Sequence, residues 1–95
     1  MPDLKIQHED GETGGRYVIR LEGHEAELTY SKAGASRIII DHTGVPDALS
    51  GQGIGQALVE RAVMDARQSG RKIIPLCPYA KAQIGKHPEW QDVLQ

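Results

Sequence analysis

Phenylalanine is absent from this 95-residue chain, and aromatic residues make up 4% of it. The core must therefore be aliphatic, built from Leu, Ile, Val and Ala. That packs, but with little margin at this size, so either a monomer or a homodimer fits. A single cysteine, Cys77, excludes an internal disulfide and any multi-cysteine zinc site, and it fits a reducing, cytoplasmic setting. The formal charge of −2 gives no basic footprint for nucleic acid, and no Lys/Arg block suits an anionic membrane. No apolar run approaches the roughly 20 residues of a membrane helix. Met1-Pro2-Asp3-Leu4-Lys5 opens without the apolar core of a signal peptide. His8 and His24 have no metal-ligand spacing to partners and read as turn or surface residues, so no metal is expected. The length suits one domain spanning residues 1–95.

What is present is a series of short alternating segments followed by one strong helix. Leu4 to His8 alternates apolar and polar, as a strand does. Glu9 to Gly15 is polar and glycine-rich and reads as a turn or loop. Arg16 to Leu21 alternates again, Glu22-Gly23-His24-Glu25 suits a hairpin turn, and Ala26, Leu28 and Tyr30 line one face of a third strand. Ser31 to Ser36 is another turn. Arg37 to Thr43 is a β-branched run, expected to be a central strand covered on both faces. From Ile54, apolar residues at Leu58, Val59, Ala62, Val63 and Ala66 follow helical spacing, and Gly70 is placed for a left-handed C-cap. Arg71 to Cys77 reads as a fifth strand, whose Pro75 marks an edge, a bulge or a splay. Pro78 suits the first position of a helix running from Tyr79 to Lys86. Glu89 to Gln95 suits a closing strand or turn. The order β-β-β-β-α-β-α describes a mixed sheet with helices packed on it, an α/β (α+β) fold.

The stretch Ser50-Gly51-Gln52-Gly53-Ile54-Gly55 stands between the fourth strand and the long helix. Glycine lets backbone come close to a ligand, and a helix start aims unpaired N–H groups and a positive dipole end at it. This is an anion site, most often for phosphate. A P-loop is excluded because the required Gly-Lys-Ser/Thr is missing. A Rossmann turn fits poorly: Gln56 stands at its third glycine, and the next strand ends in Cys77 rather than an acid.

The segment Val45-Pro46-Asp47-Ala48-Leu49-Ser50-Gly51-Gln52-Gly53-Ile54-Gly55-Gln56-Ala57-Leu58 resembles motif A of the Gcn5-related N-acetyltransferases. Asp41-His42-Thr43, Ile73 to Tyr79 and His87-Pro88-Glu89-Trp90 extend the resemblance to the small, single-domain branch of that family. It implies a central strand splayed beside the glycine turn and acetyl-coenzyme A as co-substrate. The pyrophosphate would be held by Gly51, Gln52, Gly53, Ile54, Gly55 and Gln56. Backbone at Thr43, Gly44 and Val45 would pair with the pantetheine arm and polarise the thioester. The partners implied are acetyl-coenzyme A and an amine acceptor, a small amine or an exposed lysine. A non-catalytic acyl-coenzyme A sensor or regulatory module is the alternative. The chain departs from the family in three ways. Ser50 replaces the usual Gln or Arg. Only Glu9 to Gly15 fills the place of a helix pair. Gln83 and Lys86 stand where many relatives carry a tyrosine acid.

Two side chains are candidates for the chemistry. His42 is placed as general base, since imidazoles titrate near neutral pH. Strand alternation sets Asp41 and His42 on opposite faces, so one of them addresses the site. Cys77, before Pro78 at a helix start, is placed to protonate the departing thiolate, contact the acetyl group or carry it covalently. Tyr79 reads as a packing residue; His87 reads as capping or ending the helix and Trp90 as covering core.

Overall fold

The protein is described here by a computed structural model covering residues 5–94. Five strands lie in the order β1-β2-β3-β4-β5. They are β1 (Ile6–Asp10), β2 (Gly14–Leu21), β3 (His24–Lys32), β4 (Arg37–Gly44) and β5 (Lys72–Pro75). The first three pairings are antiparallel and β4–β5 is parallel, the crossover being helix α1 (Ile54–Ser69). Helix α2 (Pro78–Gly85) and a 3-10 helix (Pro88–Val93) complete the chain. The expected β-β-β-β-α-β-α order is thus the observed one. Leu4, expected in β1, and Gln95, expected in the tail, lie outside the described residues.

Local chemistry explains where the boundaries moved. The β1–β2 turn is shorter than expected because Asp10 pairs with Gly15, and Gly11 N–H donates to the Gly14 carbonyl at 2.7 Å. The β2–β3 turn is the two residues Glu22 and Gly23, with φ of 52° and 78°. Two positive φ values in a two-residue loop match the twist of a hairpin. β5 stops at Pro75, which has no N–H to continue a ladder. The tail forms the 3-10 helix rather than a strand, and among its described residues only Leu94 bridges, to Ile73.

One core unites these elements. Tyr17, Ile19, Ala26, Leu28, Tyr30, Ile38 and Ile40 face Leu58, Val59, Ala62, Val63 and Ala66 of α1. Ala80, Ile84, Trp90 and Val93 close it at the C-terminal side. β4 is central, between β3 and β5, but is not fully covered on both faces. Ile38 and Ile40 are buried under the helices, whereas Ile39 is half-buried on the other side. That other face carries Arg16, Arg20, Glu9, Glu25 and Glu27, tied by ion pairs such as Arg16 to Glu27 at 2.7 Å.

Candidate active site

The sheet opens beside the glycine turn because β4 is longer than its neighbour. The parallel ladder ends at Ile40 opposite Pro75, and the Cys77 N–H makes a last bond to the Ile40 carbonyl at 3.1 Å. β4 runs on through Asp41, His42, Thr43 and Gly44, with no strand on the β5 side among the described residues. Two adjoining hollows of about 180 and 260 Å³ occupy the splay and share Val45 and Tyr79. Gly51, Gly53, Ile54 and Gly55 line the first; Thr43 lines the second.

The start of α1 leaves its donors unused. Gly53 is the N-cap, in the left-handed region at φ 74°, and no side chain caps the helix. The first intrahelical bond found at this end runs from Ala57 N–H to the Gly53 carbonyl at 3.0 Å. The N–H groups of Ile54, Gly55 and Gln56 therefore point out of the helix end. No acidic residue in the first turn opposes an incoming anion. Ser50 donates its hydroxyl to the Asp47 carbonyl at 2.9 Å. Gln52 and Gln56 are exposed beside the turn, and Gln56 Nε2 lies 3.5 Å from His87 Nε2.

Gly55 is glycine for a different reason. Its φ is not positive, so no backbone conformation requires it. A Cβ there would collide with the Tyr79 hydroxyl and stand 2.8 Å from Tyr79 Cζ. Tyr79, expected as a packing residue, is 40% exposed and forms a wall of both hollows. The signal for it was a glycine inside a helix with no turn to make, which marks a close approach. Burial and the neighbouring Cys77 push the Tyr79 phenol above its ordinary value.

Cys77 is the N-cap of α2 and is buried to 5% exposure. Its Sγ lies 3.7 Å from Thr43 Oγ1. Burial pushes the thiol up. The backbone N–H groups of Ala80 and Tyr79, with the Thr43 hydroxyl and amide, favour the thiolate and prevail, so the thiol sits below its ordinary value.

His42 is placed differently from the expectation. The β3–β4 register shifts between Thr29 and Tyr30: Tyr30 pairs with Ile40, but Thr29 pairs with His42. Asp41 is the extra residue of a β-bulge. Thr43 opposite Leu28 then faces the helices, and His42 opposite Thr29 faces away from them. Asp41 accepts a hydrogen bond from Ser31 on that same outer face, at 2.6 Å. The bulge thus overturns the simple alternation: Asp41 and His42 share the face that α1 does not cover. The His42 ring lies over Gly44, its Nε2 3.0 Å from where a Cβ of residue 44 would stand. Glu25, Glu27, Gly44, Val45 and Pro46 line a hollow beside it. His42 and Cys77 are therefore not together; they lie on opposite sides of β4. Among the described residues no cluster of His, Cys, Asp or Glu could hold a metal.

Three comparisons bear on this geometry. The sequence signature of the family described as GCN5-related N-acetyl-transferase matches residues 16–93. A curated relative, Protein NATD1 of Xenopus tropicalis, is 29% identical over 89 residues, 92% of this chain and 82% of the relative. The solution structure of a GCN5-like protein of Staphylococcus aureus superposes with a TM-score of 0.75 at 39% identity. That match covers 100% of this chain and 91% of the other.

Proposed function

The chain belongs to the GCN5-related N-acetyltransferase family, and we propose that it moves the acetyl group of acetyl-coenzyme A onto a primary amine by direct transfer. The observation that carries this reading is the uncapped start of α1 standing beside the unpaired edge of β4. The pyrophosphate belongs at Gly51, Gln52, Gly53, Ile54, Gly55 and Gln56, where free N–H groups and the helix dipole favour an anion. The pantetheine arm pairs with the open edge at Thr43, Gly44 and Val45 as an added strand.

The two candidate side chains suit opposite ends of the reaction. The acceptor amine enters from the outer face, where His42 removes its proton. Its nitrogen forms a bond to the carbonyl carbon as the carbon–sulfur bond breaks, and a backbone N–H of β4 holds the developing oxyanion. Cys77, on the helix side next to Thr43, returns a proton to the departing thiolate.

Calorimetry with acetyl-coenzyme A, followed by thiol release over a panel of amines, tests the proposal. Binding with release on at least one amine is expected. No binding at millimolar ligand would sink the assignment, and binding without release on any amine would make the domain an acyl-coenzyme A sensor. Cys77→Ser should bind acetyl-coenzyme A as before and lose at least about tenfold in kcat. Full activity of that variant would remove Cys77 from the role of acid, and acetylated Cys77 in the mass spectrum of the wild type would contradict the direct route.

A further inference from the structure

Tyr79 stands in the first turn of α2, after the Cys77 cap and Pro78. Its ring crosses from α2 to the start of α1 and walls both hollows of the splay. The hydroxyl end is the one that meets α1. A Cβ on Gly55 would collide with the Tyr79 oxygen and would stand 2.8 Å from Cζ and 3.0 Å from Cε2. Gly55 is the second residue of α1 after the Gly53 cap, so its N–H is among those left unpaired at that end. The phenol oxygen and these N–H groups therefore border one hollow, with Gly51, Gly53 and Ile54. Glycine costs a helix stability, and at Gly55 that cost leaves room for the phenol.

The hydroxyl is also available. Tyr17 donates to Asp65 and Tyr30 to Asp10, so the other two tyrosines use their hydroxyls inside the fold. The Tyr79 hydroxyl has no hydrogen-bond partner among the described residues; burial and the neighbouring Cys77 act on it instead. Both raise the phenol above its ordinary value, so it keeps its proton at neutral pH and is a donor. Donors of two kinds, backbone N–H and phenol O–H, thus converge on the hollow beside the glycine turn. A group rich in acceptor oxygens and negatively charged meets them together.

We propose that Tyr79 is a ligand of the coenzyme's pyrophosphate, its phenol O–H donating to a phosphoryl oxygen beside the N–H groups of the glycine turn. This assignment rests on the acetyl-coenzyme A reading of the turn and adds to it a donor from the opposite wall of the splay. Tyr79→Phe keeps the ring and removes the donor. Calorimetry should show acetyl-coenzyme A bound about tenfold or more weakly, as for loss of a hydrogen bond to a charged group. Phosphorus NMR of the bound coenzyme locates the loss. The pyrophosphate resonances should differ between variant and wild type, and the ribose phosphate resonance should agree. In wild-type protein labelled at the Cζ of its three tyrosines, acetyl-coenzyme A should move one resonance and leave the other two in place. Undiminished affinity of the folded variant would overturn the assignment. So would weaker binding with unaltered pyrophosphate resonances, or a fall in kcat at unchanged affinity, which would make the phenol an acid at the thioester. If the variant does not fold, the tyrosine spectrum decides, and three unmoved resonances overturn the proposal. A wild type that binds no acetyl-coenzyme A removes both this assignment and the reading beneath it; normal binding with an unaffected variant removes this one alone.

Discussion

At Gly55 two effects oppose each other. Alanine favours a helix over glycine by up to about 1 kcal/mol. Its Cβ, however, would lie 2.8 Å from Tyr79 Cζ and 3.0 Å from Cε2. Tyr79 is 40% exposed, so its ring can swing away rather than strain the backbone. Gly55→Ala should therefore change stability by less than about 1 kcal/mol while driving Tyr79 out of the splay. In a Tyr79→Ala background the same substitution should become stabilising. A coupling of about 1 kcal/mol between the two positions, from urea melts of the double-mutant cycle, is expected; no coupling would remove Tyr79 from Gly55's account. Cys77 gives a second test. Its thiolate absorbance should titrate with a midpoint below that of free cysteine. Thr43→Val should raise the midpoint by removing a hydroxyl that favours the thiolate. A wild-type midpoint at or above free cysteine would contradict the N-cap placement.

Helix α1 begins and ends on glycines in the same conformation, which allows a controlled comparison. Gly53 has φ 74° and Gly70 has φ 71°, and a Cβ at either would meet nothing within 4 Å. Alanine at either position should cost about 1–2 kcal/mol, a purely torsional penalty. Only Gly53→Ala should also weaken acetyl-coenzyme A in calorimetry, because its Cβ would project into the place assigned to the pyrophosphate. Equal affinities in the two variants would sink the cradle. This helix was legible in the sequence because Ile54, Leu58, Val59, Ala62, Val63 and Ala66 repeat at helical spacing and Gly70 closes them. The bulge in β4 was not. A bulge adds one residue without changing composition, so Asp41-His42-Thr43 still reads as plain alternation. Only the pairing with Thr29 and Tyr30 reveals which face His42 takes. Likewise, the glycine turn was legible, but Tyr79 reaches it from a distant stretch of chain through packing alone.

Across the whole molecule, a small core, aliphatic but for Tyr17, Tyr30 and Trp90, leaves the tail dependent on polar fastening. The 3-10 helix Pro88–Val93 contributes Trp90 and Val93 to the core, yet it is short and has no side-chain cap. Arg67 of α1 clamps it, donating to both Asp92 carboxylate oxygens at 2.9 and 2.8 Å and to the Glu89 carbonyl at 2.7 Å. The same clamp holds the Asp92 carboxyl below its ordinary value of 3.8. Asp10 is lowered by Tyr30 and Lys32, and Glu9 by Arg16. A carboxyl with a depressed folded-state pKa binds its proton more readily when unfolded. Its stabilisation is thus present above the ordinary carboxylate range and is lost as pH falls through the lowered folded value. The melting temperature should stay level from neutral pH down to the ordinary values of 4.5 and 3.8, then fall. Arg67→Ala should lower it at neutral pH and flatten the acid decline, since Asp92's share is already lost. Circular dichroism melts at stepped pH measure both, with hydrogen exchange at Trp90–Val93 locating the loosening. Parallel acid declines in the variant and the wild type, at unchanged exchange in the tail, would show that the clamp holds nothing.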